Sequence, residues 1–287
     1  MRIAVVGTGI SGLATAWMLS KKYDVRVFEK SDRLGGHSNT VRIDYDDTPL
    51  NVDTGFIVYN ERNYPNLVSM FDHLGVATET SNMSFSASID GGRIEYAGSA
   101  LSTLFAQKRN LFRPSFLYML KDFSRFCRLG KAALQRGANE SETLGQFLDN
   151  HAFTKGFRHY YLLPMAASIW SAPCAQILDY PSSSFLRFFA NHGLLDIGRH
   201  PQWRTVKGGS ANYVKRLAAP LSGRIERGND VRSVRRVAGG VEIVDGHGHV
   251  REFDHVVLAC HADQCLDLLE ANGRESLGFG GARINQQ

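Results

Sequence analysis

At 287 residues, with 43% hydrophobic and 21% charged residues, the chain has the make-up of a soluble globular protein, long enough for one or two buried cores. No apolar run reaches the length of a membrane span, and the four cysteines, at 127, 174, 260 and 265, have neither metal-site spacing nor the density of a disulfide scaffold. The net charge of +5 is concentrated in one stretch, and no nucleic-acid-binding motif accompanies it.

Ile3 to Val6 read as a short buried strand that runs into Gly7, Gly9 and Gly12. Leu13, Ala14, Ala16, Trp17 and Leu19 follow with helical spacing. This pattern suits a phosphate-binding turn. The first glycine permits the turn, the second lets backbone approach a pyrophosphate, and the third allows close packing of helix on strand. The N–H groups of Ile10 and Ser11 at the helix start then face the phosphates. A second strand, Val25 to Phe28, ends at Glu29, 20 residues beyond Gly9, where a carboxylate accepts hydrogen bonds from an adenosine ribose and disfavours a 2′-phosphate. FAD and NAD are both compatible with this much. Lys30, Arg33, Gly35, Gly36 and His37 then bring more backbone and positive or hydrogen-bonding groups to the diphosphate, which favours FAD. Arg2, the apolar run and Ala14-Thr15-Ala16 have a superficial signal-peptide look, but three glycines that the cofactor reading explains interrupt the run, so no signal peptide is expected, and the cysteine usage fits a reducing cytoplasm.

The series Gly7, Gly9, Gly12, Glu29, Arg33, Gly35 and Gly36, followed by Asp53, Gly55 and Phe56, resembles the flavin-containing amine oxidoreductase superfamily, which includes monoamine and polyamine oxidases, protoporphyrinogen oxidase and phytoene-desaturase-like enzymes. The resemblance implies that the glycine pair contacts the FAD diphosphate and that Asp53, Thr54 and Gly55 pass close to the flavin ring. His37 stands where the family commonly has arginine. The implied fold is α/β: a discontinuous, glutathione-reductase-like FAD-binding Rossmann domain with an inserted, mainly helical substrate domain. Its segments are expected at 1–58 and 206–269, the insert at 59–205, and an irregular tail at 270–287.

Within the insert, Tyr64 to Leu74 read as a helix, and Ser84 to Ile89 with Arg93 to Tyr96 as a hairpin around Asp90, Gly91 and Gly92. Lys108 to Arg136 hold eight basic residues and one acid, Asp122. Phe116, Leu120, Phe123 and Cys127 form one face there, and Lys121, Arg125 and Arg128 another. This amphipathic helix is either a solvated basic helix or a peripheral contact with the inner face of a membrane. Helices are expected from about Pro114 to Phe189, including Ser141 to Asn150 and Phe153 to Leu162. Phe157, Tyr160, Tyr161, Trp170, Phe185, Phe188, Phe189 and Trp203 either line an apolar pocket or fill a core.

After Gly208 and Gly209 the pattern reverts to strands at Val231 to Val237, Val241 to Val244 and Val250 to Phe253. These resemble the antiparallel insert of glutathione-reductase-like FAD domains, which implies that Val231 presents its backbone to the adenine. Val256 to Cys260 would rejoin the parallel sheet, with Cys260 as a packed small residue, and Ala262 to Leu269 form a helix. His247 and His249 lie in a turn, and no metal site is expected. The resemblance reaches about residue 265, and the family's final flavin-binding strand and helix have no counterpart motif in the tail.

The expected activity is hydride transfer from a C–H bond of an amine or an apolar, lipid-like substrate to FAD, with no catalytic residue identifiable. The competing readings are an NAD-dependent dehydrogenase and a non-catalytic dinucleotide-binding fragment.

Overall fold

The computed structural model describes residues 1–98, 100–137, 139–196 and 201–269, so the expected tail at 270–287 lies outside the described residues. The chain divides into two compact units. One holds Met1–Val58, Asn66–Glu79 and the chain from Thr205 onward; the other holds Tyr59–Pro65 and Thr80–Arg204.

The first unit is built on a parallel sheet. Strand Arg2–Val6 lies between Asp24–Glu29 and His255–Leu258, and Ile225–Arg227 pairs with the outer side of Asp24–Glu29. Ile3, Ala4, Val5 and Val6 are all buried, as a strand covered on both faces requires. One face carries a three-stranded antiparallel sheet, Val231–Val237, Gly240–Asp245 and Val250–Phe253, whose Val231, Val234, Ile243 and Phe253 join Ala4, Val6 and Phe28 in one apolar cluster. Helix Ile10–Leu19 buries Gly12, Leu13 and Ala16, and helix Ala211–Ala218 buries Tyr213, Val214 and Leu217. That second helix and the strand Ile225–Arg227 are not anticipated from the sequence. Both are short, and the strand Ile-Glu-Arg has no apolar run to mark it.

Thr40–Tyr45 and Thr48–Asp53 form an antiparallel ribbon whose two-residue loop, Asp46 and Asp47, has positive φ at both positions (51° and 58°). Aspartate is among the residues that tolerate this geometry, which matches the twist of the flanking strands. The insert boundary also needs correction. Asn66–Glu79, expected within 59–205, belongs to the first unit. Phe71 is buried there against Tyr213 at 5.2 Å, and Arg216 Nη1 donates to Leu74 O at 2.7 Å.

The second unit contains the hairpin Ser86–Ile89 with Ile94–Ala97 and helices Pro114–Gln135, Leu144–Asn150, Leu163–Trp170 and Ser182–Asn191. The helix expected from Ser141 starts at Leu144, because Thr143 and Gln146 form a reciprocal capping box. The aromatic residues fill a core. Phe126 touches the rings of Phe147, Phe153, Phe157, Phe185 and Phe189 at centroid distances of 5.4 to 6.4 Å, and Phe157, Phe185 and Phe189 are fully buried.

The basic helix is corrected at one residue. Arg125 does not share the free face of Lys121 and Arg128: its guanidinium pairs with buried Asp122 at 2.5 Å, donates to His151 O at 2.8 Å and lies over Phe153. Burial pushes the Asp122 carboxyl up, but hydrogen bonds from Thr154 and Arg125 outweigh it and hold the group below its ordinary range.

Candidate functional site

The first strand ends at Val6, and Gly7 turns the chain with φ +101°, a conformation that favours glycine. Its N–H donates to Phe28 O at 2.8 Å, stitching the turn to the neighbouring strand. A Cβ on Gly7 would lie 2.8 Å from Ala259 O, and one on Gly12 only 2.0 Å from Gly7 O. The fold itself demands these two glycines.

Gly9 is different. A Cβ there meets nothing within 4 Å, and its φ of −59° is open to any residue. It opens helix Ile10–Leu19, which has no side-chain cap and no acidic residue in its first turn. The first intrahelical bond is from Leu13 N–H to Gly9 O at 2.9 Å, so among the described residues the N–H groups of Ile10, Ser11 and Gly12 have no backbone partner and are left for solvent or a ligand. Unsatisfied donors at the positive end of a helix dipole favour an anion.

The second glycine pair folds onto the first. Gly35 N–H donates to Thr8 O at 3.0 Å, and a Cβ on Gly36 would lie 3.1 Å from Gly9 Cα. Both have positive φ, +108° and +55°. Arg33 is exposed and reaches back across this turn to donate to Gly36 O at 2.9 Å. His37 stacks on His261 with centroids 5.4 Å apart, and Lys30 is exposed beside Glu29.

Glu29 is buried, and its carboxylate already has partners. Thr8 donates to Oε2 through its N–H at 2.9 Å and through its hydroxyl, and Ser31 N–H donates to Oε1 at 3.0 Å. A carboxylate has about four acceptor positions, so about one remains for a hydroxyl donor. Thr8 is therefore a site residue that the sequence reading missed. The signal was a hydroxyl side chain set between two glycines of the turn.

Val231 is brought to the same strand end. Asn229 N–H donates to Glu29 O at 3.0 Å and Gly228 N–H to Ser31 O at 3.3 Å. A buried network fixes this approach. Asn229 Nδ2 donates to Glu226 Oε2 at 2.9 Å and Asp245 Oδ2 at 3.3 Å, while His247 and His249 N–H groups each donate to Asp245 Oδ1 at 3.0 Å. Arg251 pairs with Asp245 at 2.9 Å and with Glu226 at 2.5 Å. Burial opposes ionisation of Asp245, yet the donors from His249, Asn229 and His247 and the Arg251 charge pull its pKa down to about 2. His249 thus serves this carboxylate, and no group of three or more metal-ligating side chains occurs among the described residues.

Asp53, Gly55 and Phe56 are brought to the start of helix Ala211–Ala218 and to the glycine turn. The Asp53 carboxylate accepts from Ser210 N–H at 3.0 Å, Ser210 Oγ at 2.7 Å and Thr40 Oγ1 at 2.5 Å, and Thr40 Oγ1 in turn accepts from Ala211 N–H at 2.9 Å. Its side chain thus anchors a helix N-terminus. A Cβ on Gly55 would lie 2.3 Å from His37 O, so this glycine permits one chain segment to cross another. Phe56 packs edge-on against Tyr213 at 6.3 Å, and Tyr213 OH shares a hydrogen bond with Ser38 Oγ.

The model of the flavin containing amine oxidoreductase family matches residues 10–279, beyond the point near 265 where the sequence resemblance was expected to stop. A putative flavin-containing monoamine oxidase, AofH, of Mycobacterium tuberculosis is 26% identical over 272 residues, covering 90% of this chain and 56% of the relative. Among solved structures, a double mutant of putrescine oxidase superposes with a TM-score of 0.64 at 23% identity, covering 90% of this chain and 58% of that one. Cyclohexylamine oxidase from Brevibacterium oxydans gives a TM-score of 0.65 at 19% identity, with 90% and 57% covered. The chain therefore spans somewhat more than half the length of these relatives.

Proposed function

The chain belongs to the flavin containing amine oxidoreductase family, and from that premise we propose that its first unit holds the adenosine and diphosphate of FAD in the service of an oxidoreductase. The observation that carries this reading is the pair Gly9 and Gly36: two backbones meet, and the Cβ position of Gly9 opens on free space beside unsatisfied helix N–H groups. In this reading Gly7, Gly9, Ile10, Ser11, Gly12, Gly35 and Gly36 form the diphosphate cradle. Lys30, Arg33 and His37 supply charge and donors at its rim, Glu29 takes a ribose hydroxyl, and Val231 offers backbone to the adenine. Asp53, Gly55 and Phe56 shape the wall toward the flavin. The parallel sheet with an antiparallel sheet on one face supports the glutathione-reductase-like, discontinuous form of the domain.

When bound, the flavin supplies the acceptor for a hydride from a substrate C–H bond. The residues here bind and orient it, and the substrate is an amine or an apolar, lipid-like molecule. Calorimetric titration with FAD, ADP and NAD tests the reading. FAD and ADP should compete for one site, and NAD should bind at least tenfold more weakly. Preferential NAD binding would favour the dehydrogenase reading instead.

A peripheral membrane contact is a second, separate proposal for the other unit. Phe112 is 86% exposed, and Leu111, Leu117 and Tyr118 are exposed beside it. Exposed Lys108, Lys121 and Arg128 accompany this apolar group, the combination that anionic lipid surfaces attract. No described helix is long and apolar enough to cross a membrane.

A further inference from the structure

Cys260 and Cys265 bracket the turn that leaves strand His255–Leu258 and enters helix Ala262–Leu268. Their sulfurs are 3.3 Å apart, and the Cys265 thiol points at Cys260 O at 3.6 Å. Both residues are partly exposed, unlike Cys127, which is buried. The sequence reading of Cys260 as a packed small residue is therefore incomplete, since its thiol faces a second thiol. A disulfide needs its sulfurs at about 2.05 Å, so a closing movement of roughly 1.3 Å is required.

The turn is also part of the glycine-loop wall. Ala259 N–H donates to Val6 O at 2.8 Å, and the Ala259 carbonyl carbon and the Cys260 nitrogen lie 3.1 and 3.4 Å from where a Gly7 Cβ would stand.

We propose that Cys260 and Cys265 form a redox-active dithiol that a hydroperoxide closes to an intrachain disulfide beside the glycine turn. One thiol attacks hydrogen peroxide, releasing water and leaving a sulfenic acid. The other sulfur, 3.3 Å away, attacks the sulfenic sulfur, forms the S–S bond and releases a second water. In total, two thiols lose two protons and two electrons while one peroxide becomes two waters. Whichever sulfur reacts first, the second is already in place. Burial, reinforced by the neighbouring thiol, pushes Cys260 well above the ordinary thiol range, with Lys30 opposing, so oxidation should be slow at neutral pH and quicken as the pH rises.

The test uses the whole chain and a mass readout that does not depend on nucleotide binding. Cleavage after Arg251 and Arg274 places both cysteines in one tryptic peptide, 252–274. After hydrogen peroxide treatment and alkylation, that peptide should be lighter than its unalkylated reduced form by two hydrogens and should take up no alkyl group. Dithiothreitol should reverse the change. Cys265→Ser should abolish it while the variant keeps wild-type circular dichroism, and exposed Cys174 should show no intrapeptide product. If the peptide remains doubly alkylatable while Cys174 is consumed, or gains only oxygen that dithiothreitol does not remove, the proposal is overturned.

Discussion

The two units solve the problem of close packing in opposite ways. In the first, strands and turns approach so closely that Cβ atoms are excluded, as at Gly7, Gly12 and Gly55, where backbone oxygens lie 2.0 to 2.8 Å from the position a Cβ would take. In the second, space is filled by large rings, with Phe126 surrounded by five other phenylalanines. In the first unit the missing side chains let backbone cross backbone, whereas in the second unit ring packing fills the core. Within the first unit, Gly9 departs from its neighbours because its missing side chain answers to no protein atom.

The largest effect should come from Phe126→Ala, which leaves a cavity in the ring cluster and should cost about 3–5 kcal/mol in denaturant unfolding. A loss below 1 kcal/mol would show that the cluster is not a tight core. Gly12→Ala should be nearly as severe, because its Cβ would stand 2.0 Å from a backbone oxygen that cannot move without displacing the first strand. The melting temperature should fall well below that of the wild type, and a wild-type melting curve would break the contrast with Gly9.

Glu29→Gln should have an intermediate effect. The new NH₂ must face either the Thr8 donors or Ser31 N–H, so stability should fall by about 1–3 kcal/mol together with FAD affinity. Full stability with weakened FAD binding would mean that the carboxylate serves the ligand alone. Asp245 predicts a pH dependence. Its pKa is depressed in the fold, so its contribution is present above about pH 4, the unfolded value. That contribution is lost as the pH falls toward about 2. Asp245→Asn should flatten that part of an acid-unfolding curve, and an unchanged slope would remove the network from the account. The smallest effect concerns the surface: Lys121→Glu with Arg128→Glu should reduce co-sedimentation with anionic vesicles at low salt and leave unfolding within about 0.5 kcal/mol of wild type. Equal binding to neutral and anionic vesicles would refute the electrostatic contact.

The glycine turn was legible because its residues are close in sequence and lie between a buried strand and a helix of regular spacing. The strands Val231–Val237 and Val250–Phe253 were legible because they alternate or carry apolar runs between turn residues. Less was readable where partners are distant. Thr8 bridges Glu29 and Gly35, Asp53 clamps Ser210 from 157 positions away, and Asn229 fastens the antiparallel sheet beside Glu29. Apart from the hydroxyl of Thr8 between two glycines, nothing local in the chain marks those pairings. Arg125 was misplaced for a related reason: helical spacing put it beside Lys121 and Arg128, but a buried carboxylate at Asp122 and the His151 carbonyl draw it inward. The aromatic residues could not be assigned to core or pocket by spacing, since both readings bury them.

The central claim, that the open backbone at Gly9 belongs to a dinucleotide, is tested most directly by Gly9→Ala with stability and FAD affinity measured on the same protein. Its φ and empty surroundings predict an unfolding free energy within about 1 kcal/mol of wild type, the range of a helix N-cap change. FAD affinity should nevertheless fall at least tenfold, because the methyl group would occupy the place of the diphosphate. Unchanged FAD affinity in a folded Gly9→Ala protein would contradict the claim.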